Sequence, residues 1–152
     1  MTMKSFMPIC IDVSDIRIVM IGGGAVALQK LRTLVQYAEN VSVYAKSILP
    51  EIKVMPLHCA ECDYDATLIS GARLVYACTD DPELNRRICE HGKKVGALVS
   101  ATGGVGPRDF ISPAVFRHDD MSVAVSSNGH HIKESVQWRD AIRKFILENI
   151  VS

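Results

Sequence analysis

The run Gly22-Gly23-Gly24-Ala25-Val26-Ala27 carries the clearest chemistry in this chain of 152 residues. It has the pattern G-x-G-x-x-A. In such a turn the first glycine permits a tight bend, the next lets the backbone approach a phosphate, and the small final residue lets a helix pack close to a strand. A helix start reached through glycines offers free backbone N–H groups and a partial positive charge, which suits a pyrophosphate. The expectation is a dinucleotide site. A second candidate, His58-Cys59-Ala60-Glu61-Cys62, has the C-x-x-C spacing of a zinc site. Such sites need a second pair of ligands, and Cys78 and Cys89 are not spaced as one, so reduced structural cysteines are expected.

The surrounding elements fit the glycine turn. The apolar run Ile16-Arg17-Ile18-Val19-Met20-Ile21 reads as a strand entering it. Val26 to Ala38 reads as a helix with Ala27, Leu31, Leu34, Val35 and Ala38 on its apolar face. Val41 to Ala45 is a second strand. Ile52 to Leu57 is a weaker strand candidate, with Pro56 placing it at an edge or an end. Thr67 to Ser70 reads as a short helical turn closed by Gly71. Leu74 to Cys78 has the composition of a buried parallel strand. Asp81-Pro82-Glu83 opens a helix, which Gly92 is expected to end. Val95 to Val99 is the next strand. This alternation predicts an α/β unit with a mainly parallel sheet. Beyond it, Gly103-Gly104-Val105-Gly106-Pro107 reads as a flexible loop, Met121 to Ser126 as a strand with one polar side, and Ile132 to Val151 as an amphipathic helix carrying Val136, Ile142, Phe145, Ile146 and Ile150. That tail is too small to bury a core alone.

Composition narrows the function. The formal net charge is zero, which argues against a general nucleic-acid binder. No apolar stretch approaches the roughly 20 residues that cross a bilayer. The first ten residues lack the features of a signal peptide, and five unevenly spread cysteines suit a reduced, cytoplasmic protein. Asn40-Val41-Ser42 fits a glycosylation sequon, which has no meaning without secretion.

The strand before Lys46 poses a question of specificity. A typical NAD site has an acid at the end of its second strand to accept the ribose hydroxyls. Here the residues are Tyr44-Ala45-Lys46-Ser47. Lys46 is compatible with a 2′-phosphate, and equally with a solvated surface lysine. The residues alone leave NAD against NADP open.

Several blocks in order carry a family resemblance: Phe6-Met7-Pro8-Ile9-Cys10-Ile11-Asp12-Val13; the glycine turn followed by Lys30 and Leu31; Ala77-Cys78-Thr79-Asp80-Asp81 with Leu84 and Asn85; Phe110-Ile111-Ser112-Pro113-Ala114 with Arg117; and Val123 to Gly129. Over nearly its whole length the chain resembles the precorrin-2 dehydrogenases of siroheme synthesis, some of which also insert iron. The resemblance implies a Rossmann-like NAD-binding domain over residues 1–112. It also implies a dimerisation segment and the start of a C-terminal helical region over 113–152, most of that last region lying outside the chain.

The resemblance further implies NAD over Gly22, Gly23, Gly24, Ala25 and Val26, with contacts from Lys46 and Ser47 and, towards the nicotinamide, from Thr79 and Asp80. Its substrate is a polycarboxylate tetrapyrrole, precorrin-2, so cationic and polar groups should line a cleft. Arg108, Arg117, Ser127 and His130 are the candidates, with His118 and Lys133 nearby in sequence. Where the family has a catalytic aspartate, this chain has Ser100. A hydroxyl is a far poorer base than a carboxylate. Asp109, at the far end of the following loop, is the candidate replacement, or else a turn or capping residue. The expected function is an NAD-dependent precorrin-2 dehydrogenase, cytoplasmic and homodimeric, with no nucleic-acid or membrane partner. The alternatives are a dinucleotide- or tetrapyrrole-binding protein without dehydrogenase activity, and a metal chelatase relying on His130 or His131.

Overall fold

The computed structural model describes residues 3–104 and 108–151; Val105, Gly106 and Pro107 of the expected glycine-rich loop lie outside the described residues. The chain forms two compact units, one of residues 10–110 and the other of residues up to Ile9 together with those from Ile111 onward.

The first unit is built on five parallel strands in the order β3-β2-β1-β4-β5: β1 (Arg17–Ile21), β2 (Val41–Ala45), β3 (His58–Glu61), β4 (Ala72–Ala77) and β5 (Leu98–Ala101). Because successive strand residues point to opposite faces, the central strands separate into two apolar sets. Ile18, Met20, Val43, Leu74 and Tyr76 pack with Ala27, Leu28 and Leu31 of α1 (Ala25–Leu34) and Ile52 of α2 (Pro50–Lys53). Val19, Ile21, Val75, Ala77 and Val99 pack with Ile88 and Cys89 of α3 (Pro82–Lys94) and with Ile69 of a 3-10 turn, Ala66–Ile69. Strands buried on both faces account for the near-continuous apolar runs in the sequence.

Four elements of this unit differ from the sequence reading. The strand expected over Ile52–Leu57 is the short helix α2 followed by β3. Pro50 sits in the first turn of α2, where its fixed φ favours helix, and pairing resumes only past Pro56, at His58. Gly92 lies inside α3 rather than ending it. A Cβ there would come within 2.3 Å of Val99 Cγ2, so this glycine lets the helix lie close against β5. The chain instead turns at Gly96, with φ +75°, and so β5 begins at Leu98 instead of Val95. Helix α1 stops at Leu34, although Ala38 N still donates to Leu34 O at 2.9 Å.

In the second unit, β6 (Ala114–His118) pairs antiparallel with β7 (Met121–Val125), and α4 (Ile132–Asn149) packs against both. Strand β6 was not foreseen. Its hairpin turns through Asp119-Asp120 with no glycine, Asp119 taking φ 50°, a conformation that aspartate tolerates better than most residues. Asn128, at φ 59°, accepts Phe6 N and donates to Lys4 O, both at 2.7 Å, and so ties the N-terminal segment to this unit. Of the expected apolar face of α4, Val136, Ile142 and Ile146 are half-buried, whereas Phe145 and Ile150 are exposed. No helix among the described residues is long and apolar enough to cross a membrane.

Candidate functional site

The chain runs β1, β2, β3 towards one edge and returns to β4 on the other side of β1. In such open sheets ligands bind beyond the carboxyl ends of the strands where the order reverses. Here that point lies between β1 and β4, and the glycine turn occupies it. Gly22 has φ +132°, and a Cβ on it would lie 2.3 Å from Cys78 O at the end of β4; no other residue type fits. A Cβ on Gly23 would lie 2.5 Å from Ser47 O, and the carbonyl of Gly23 accepts Leu49 N at 2.9 Å. Two glycines thus join the ends of β1, β2 and β4. Gly24 is different. It caps α1 in an extended conformation, and a Cβ on it would meet nothing within 4 Å.

The first turn of α1 has no side-chain cap and no acidic residue, and Gly24, Ala25 and Val26 are exposed. The leading N–H groups of a helix lack intrahelical partners. An exposed, uncapped, glycine-entered helix start of this kind fits a pyrophosphate. Buried Ala27 behind it lets α1 approach the sheet.

Beside this turn, the segment after β4 is held by Asn85, which is 3% exposed. Asn85 Oδ1 accepts the Thr79 hydroxyl at 2.6 Å and Thr79 N at 3.2 Å, and Asn85 Nδ2 donates to Thr79 O at 3.1 Å. Asp81 caps α3 by accepting Glu83 N and Leu84 N. These bonds leave Asp80 exposed between two fixed neighbours. Lys46 and Ser47, after β2, are also exposed, with Lys46 Nζ 3.5 Å from Asp63. In sequence Asn85 stands out only as part of a block; its positioning role follows from the fold.

On the α1 side of the sheet, Lys30 lies over the Tyr76 ring at 6.0 Å, and Tyr76 meets Phe110 edge-on at 5.2 Å. Burial holds the Lys30 ammonium below the usual lysine range, with the positive Arg108 adding to this against the nearby Cys78. Burial likewise pushes the Cys78 thiol up to about 11, which makes it an unreactive thiol. Ser100 is 4% exposed and pairs with Tyr76 in the middle of β5. Asp109 lies beside Val99, the preceding position on that strand. Its N–H donates to Val99 O and its Oδ2 accepts Val99 N, each at 2.8 Å. The aspartate thus occupies the backbone groups of Val99 on the edge strand β5, one residue before Ser100, with one carboxylate oxygen committed there.

Arg108 belongs to the α/β unit, whereas Arg117, Ser127 and His130 belong to the other. Arg117 Nε donates to Asp119 O at 2.9 Å, and Ser127 Oγ accepts His131 N at 2.9 Å at the start of α4. His130 and His131 are exposed, the latter 3.6 Å from Glu134. Among the described residues no group of three or more His, Cys, Asp or Glu side chains is arranged to hold a metal ion. Cys59 and Cys62 are free thiols at the sheet edge.

Residues 9–114 match a family model described as "Putative NAD(P)-binding". The siroheme synthase of Chromobacterium violaceum is 33% identical over 128 residues, covering 82% of this chain and 27% of that protein. The siroheme synthase of Gluconobacter oxydans is 33% identical over 130 residues, covering 80% and 28%. The chain therefore spans less than a third of the length of these relatives. Among solved structures, SirC, a precorrin-2 dehydrogenase, superposes with a TM-score of 0.75 at 20% identity, over 95% of this chain and 70% of that one. The likeness to SirC extends through both units and shows a shared fold.

Proposed function

This chain belongs to the NAD(P)-binding family that its residues 9–114 match, and on that premise we propose that it is an NAD-dependent precorrin-2 dehydrogenase domain of tetrapyrrole synthesis. The observation that carries the reading is the exposed, uncapped start of α1 at the reversal point of the sheet. The activities named for its relatives supply the substrate class.

In this reading the N–H groups of Ala25 and Val26 hold the pyrophosphate, and Gly24 leaves room for it to approach. Lys46 and Ser47 would contact the dinucleotide after β2, and Thr79, fixed by Asn85, and its neighbour Asp80 would contact it after β4. Bound NAD supplies the hydride acceptor. The chain's own part is to orient the substrate, exclude water and move the accompanying proton. Arg108, Arg117, Ser127 and His130 are assigned to the substrate carboxylates and polar edges. Asp109 is assigned to the proton, with its uncommitted oxygen, and Ser100 to a supporting hydroxyl. The working form is a cytoplasmic homodimer, consistent with the exposed Trp138 and Phe145 of α4 and Ile150 just after it.

The test is anaerobic incubation with precorrin-2 and NAD, following NADH and the sirohydrochlorin spectrum. Asp109→Asn is the informative variant, because its amide oxygen can still accept Val99 N while the base is lost. Turnover that falls at least a hundredfold in this variant, with the fold intact, supports Asp109 as the proton acceptor. Unimpaired turnover removes Asp109 from the mechanism and leaves the enzyme. NAD binding without turnover by the unaltered protein refutes the dehydrogenase and favours a binding protein. A monodisperse monomer in light scattering at micromolar concentration refutes the dimer.

A further inference from the structure

The end of β2 has no acid, yet the structure brings one to it from the neighbouring strand. Ala45, the last residue of β2, pairs with Glu61, the last residue of β3. Glu61 Oε1 accepts Ile48 N at 3.0 Å from the loop that leaves β2, and Lys53 of α2 reaches the same oxygen at 2.8 Å. Both contacts fix the side chain at the carboxyl end of β2. Its second oxygen, Oε2, has no partner among the described residues. A shallow cavity of about 350 Å³ opens here, lined by Lys46, Glu61, Cys62 and Asp63. The ammonium of Lys46 has Asp63 beside it at 3.5 Å.

We infer that Glu61 takes over from β3 the part that an acid at the end of β2 plays in other dinucleotide sites: its free oxygen accepts a ribose hydroxyl of the adenosine half and selects NAD over NADP. This inference rests on the dinucleotide reading of the glycine turn and extends it to specificity. An ionised carboxylate only accepts hydrogen bonds, so it matches a 2′-hydroxyl donor and repels a 2′-phosphate. The bonds from Lys53 and from Ile48 N hold the Glu61 carboxyl below the usual glutamate range, so it is ionised at neutral pH. The location counts for more than the presence of acids. The cavity lies at the carboxyl ends of β2 and β3, on the same side of the reversal point as Gly23 and Ser47, which are themselves in contact across the turn.

Titration calorimetry of the unaltered protein and of Glu61→Gln with NAD and with NADP tests this. Glutamine keeps an oxygen for Ile48 N but loses the charge. The unaltered protein is expected to bind NAD roughly tenfold or more tightly than NADP. The variant should bind NAD roughly tenfold more weakly and close most of that gap, as befits the loss of a charge-assisted hydrogen bond. An unaltered protein that binds NADP as tightly as NAD overturns the inference without reference to any variant. So does a folded Glu61→Gln protein whose NAD affinity stays within twofold. Absence of binding to either dinucleotide removes the cofactor reading and this inference with it, whereas normal NAD binding with no effect at Glu61 removes the inference alone.

Discussion

Asn85 links the stability of the α/β unit to the shape of its candidate site, and Asn85→Ala separates a fixed segment from a loose one. The side chain is almost wholly buried and makes three hydrogen bonds, all to Thr79. Alanine removes all three and leaves the Thr79 N–H, hydroxyl and carbonyl without these partners. Each intramolecular bond contributes about 1 kcal/mol net, and each group left unsatisfied in a buried place costs about 1–3 kcal/mol. Thr79 itself is half-buried, so water can reach some of these groups. The expected cost is therefore about 2–3 kcal/mol in total rather than the upper sum. For a chain of 152 residues unfolding as a whole, each kcal/mol lowers Tm by about 2–4 °C, so thermal unfolding followed by circular dichroism should show a drop of roughly 5–10 °C.

The second readout is the dinucleotide affinity of the same variant at a temperature where it is folded. Thr79 Oγ1 accepts Asp81 N at 3.3 Å, and Asp81 caps α3, so loosening Thr79 frees the whole turn over the crevice. NAD affinity should fall several-fold. A Tm within about 2 °C of the unaltered protein refutes the hydrogen-bond reasoning, since one kcal/mol already moves it that far. A lowered Tm with unchanged NAD affinity refutes the assignment of Thr79 and Asp80 to the dinucleotide, leaving Asn85 a structural residue only.

Three other outcomes are expected. Gly92→Ala sets a helix-propensity gain of about 1 kcal/mol against a Cβ placed 2.3 Å from Val99 Cγ2; overpacking of this kind costs about 1–3 kcal/mol, so denaturant titration should show a net loss, and a net gain would mean that Val99 moves aside freely. Alkylation of the native protein at pH 8 should modify exposed Cys10 first and leave buried Cys78 and Cys89 until unfolding, since a Cys78 pKa of about 11 against an ordinary 9.0 lowers its thiolate fraction about a hundredfold; rapid native labelling of Cys78, mapped by mass spectrometry, would contradict its burial. Lys30→Met should raise stability at neutral pH, because burial disfavours the lysine charge. The folded lysine binds its proton less tightly than the unfolded one, so the unaltered protein gains stability as pH rises from the lowered value towards 10.5. The advantage of methionine should therefore shrink over that window, and an advantage that instead grows with pH would reverse the assigned sign.

The parallel core was legible because its signals are local. Val19, Met20, Val43 and Val75 are buried on both faces of the sheet, so their runs read as strands without any knowledge of neighbours. Asp81 and Pro82 announce the start of α3 by themselves. The misreadings have a different cause. Gly92 resembles a helix stop in sequence, yet its missing Cβ serves contact with Val99 across the layers, and only packing reveals that. Pro50 and Pro56 both punctuate the β2–β3 connection, and which one opens a helix depends on Ile52 reaching the core.

The same distinction separates the parts of the candidate site. Gly22, Gly23 and Gly24 look alike in sequence, but Cys78 O constrains the first, Ser47 O the second, and open space surrounds the third. The third has open space beside it, and the preceding two lie against the ends of neighbouring strands. Glu61 shows the converse. In sequence it belongs to a C-x-x-C segment read as structural cysteines; in the fold it ends an edge strand beside Ala45 and holds the loop after β2. A search for the ribose acid along β2 alone finds Lys46 and leaves the cofactor open. Parallel pairing changes the question, because in a sheet the residue beside a strand's end is set by register, and register places a carboxylate where the local sequence has none.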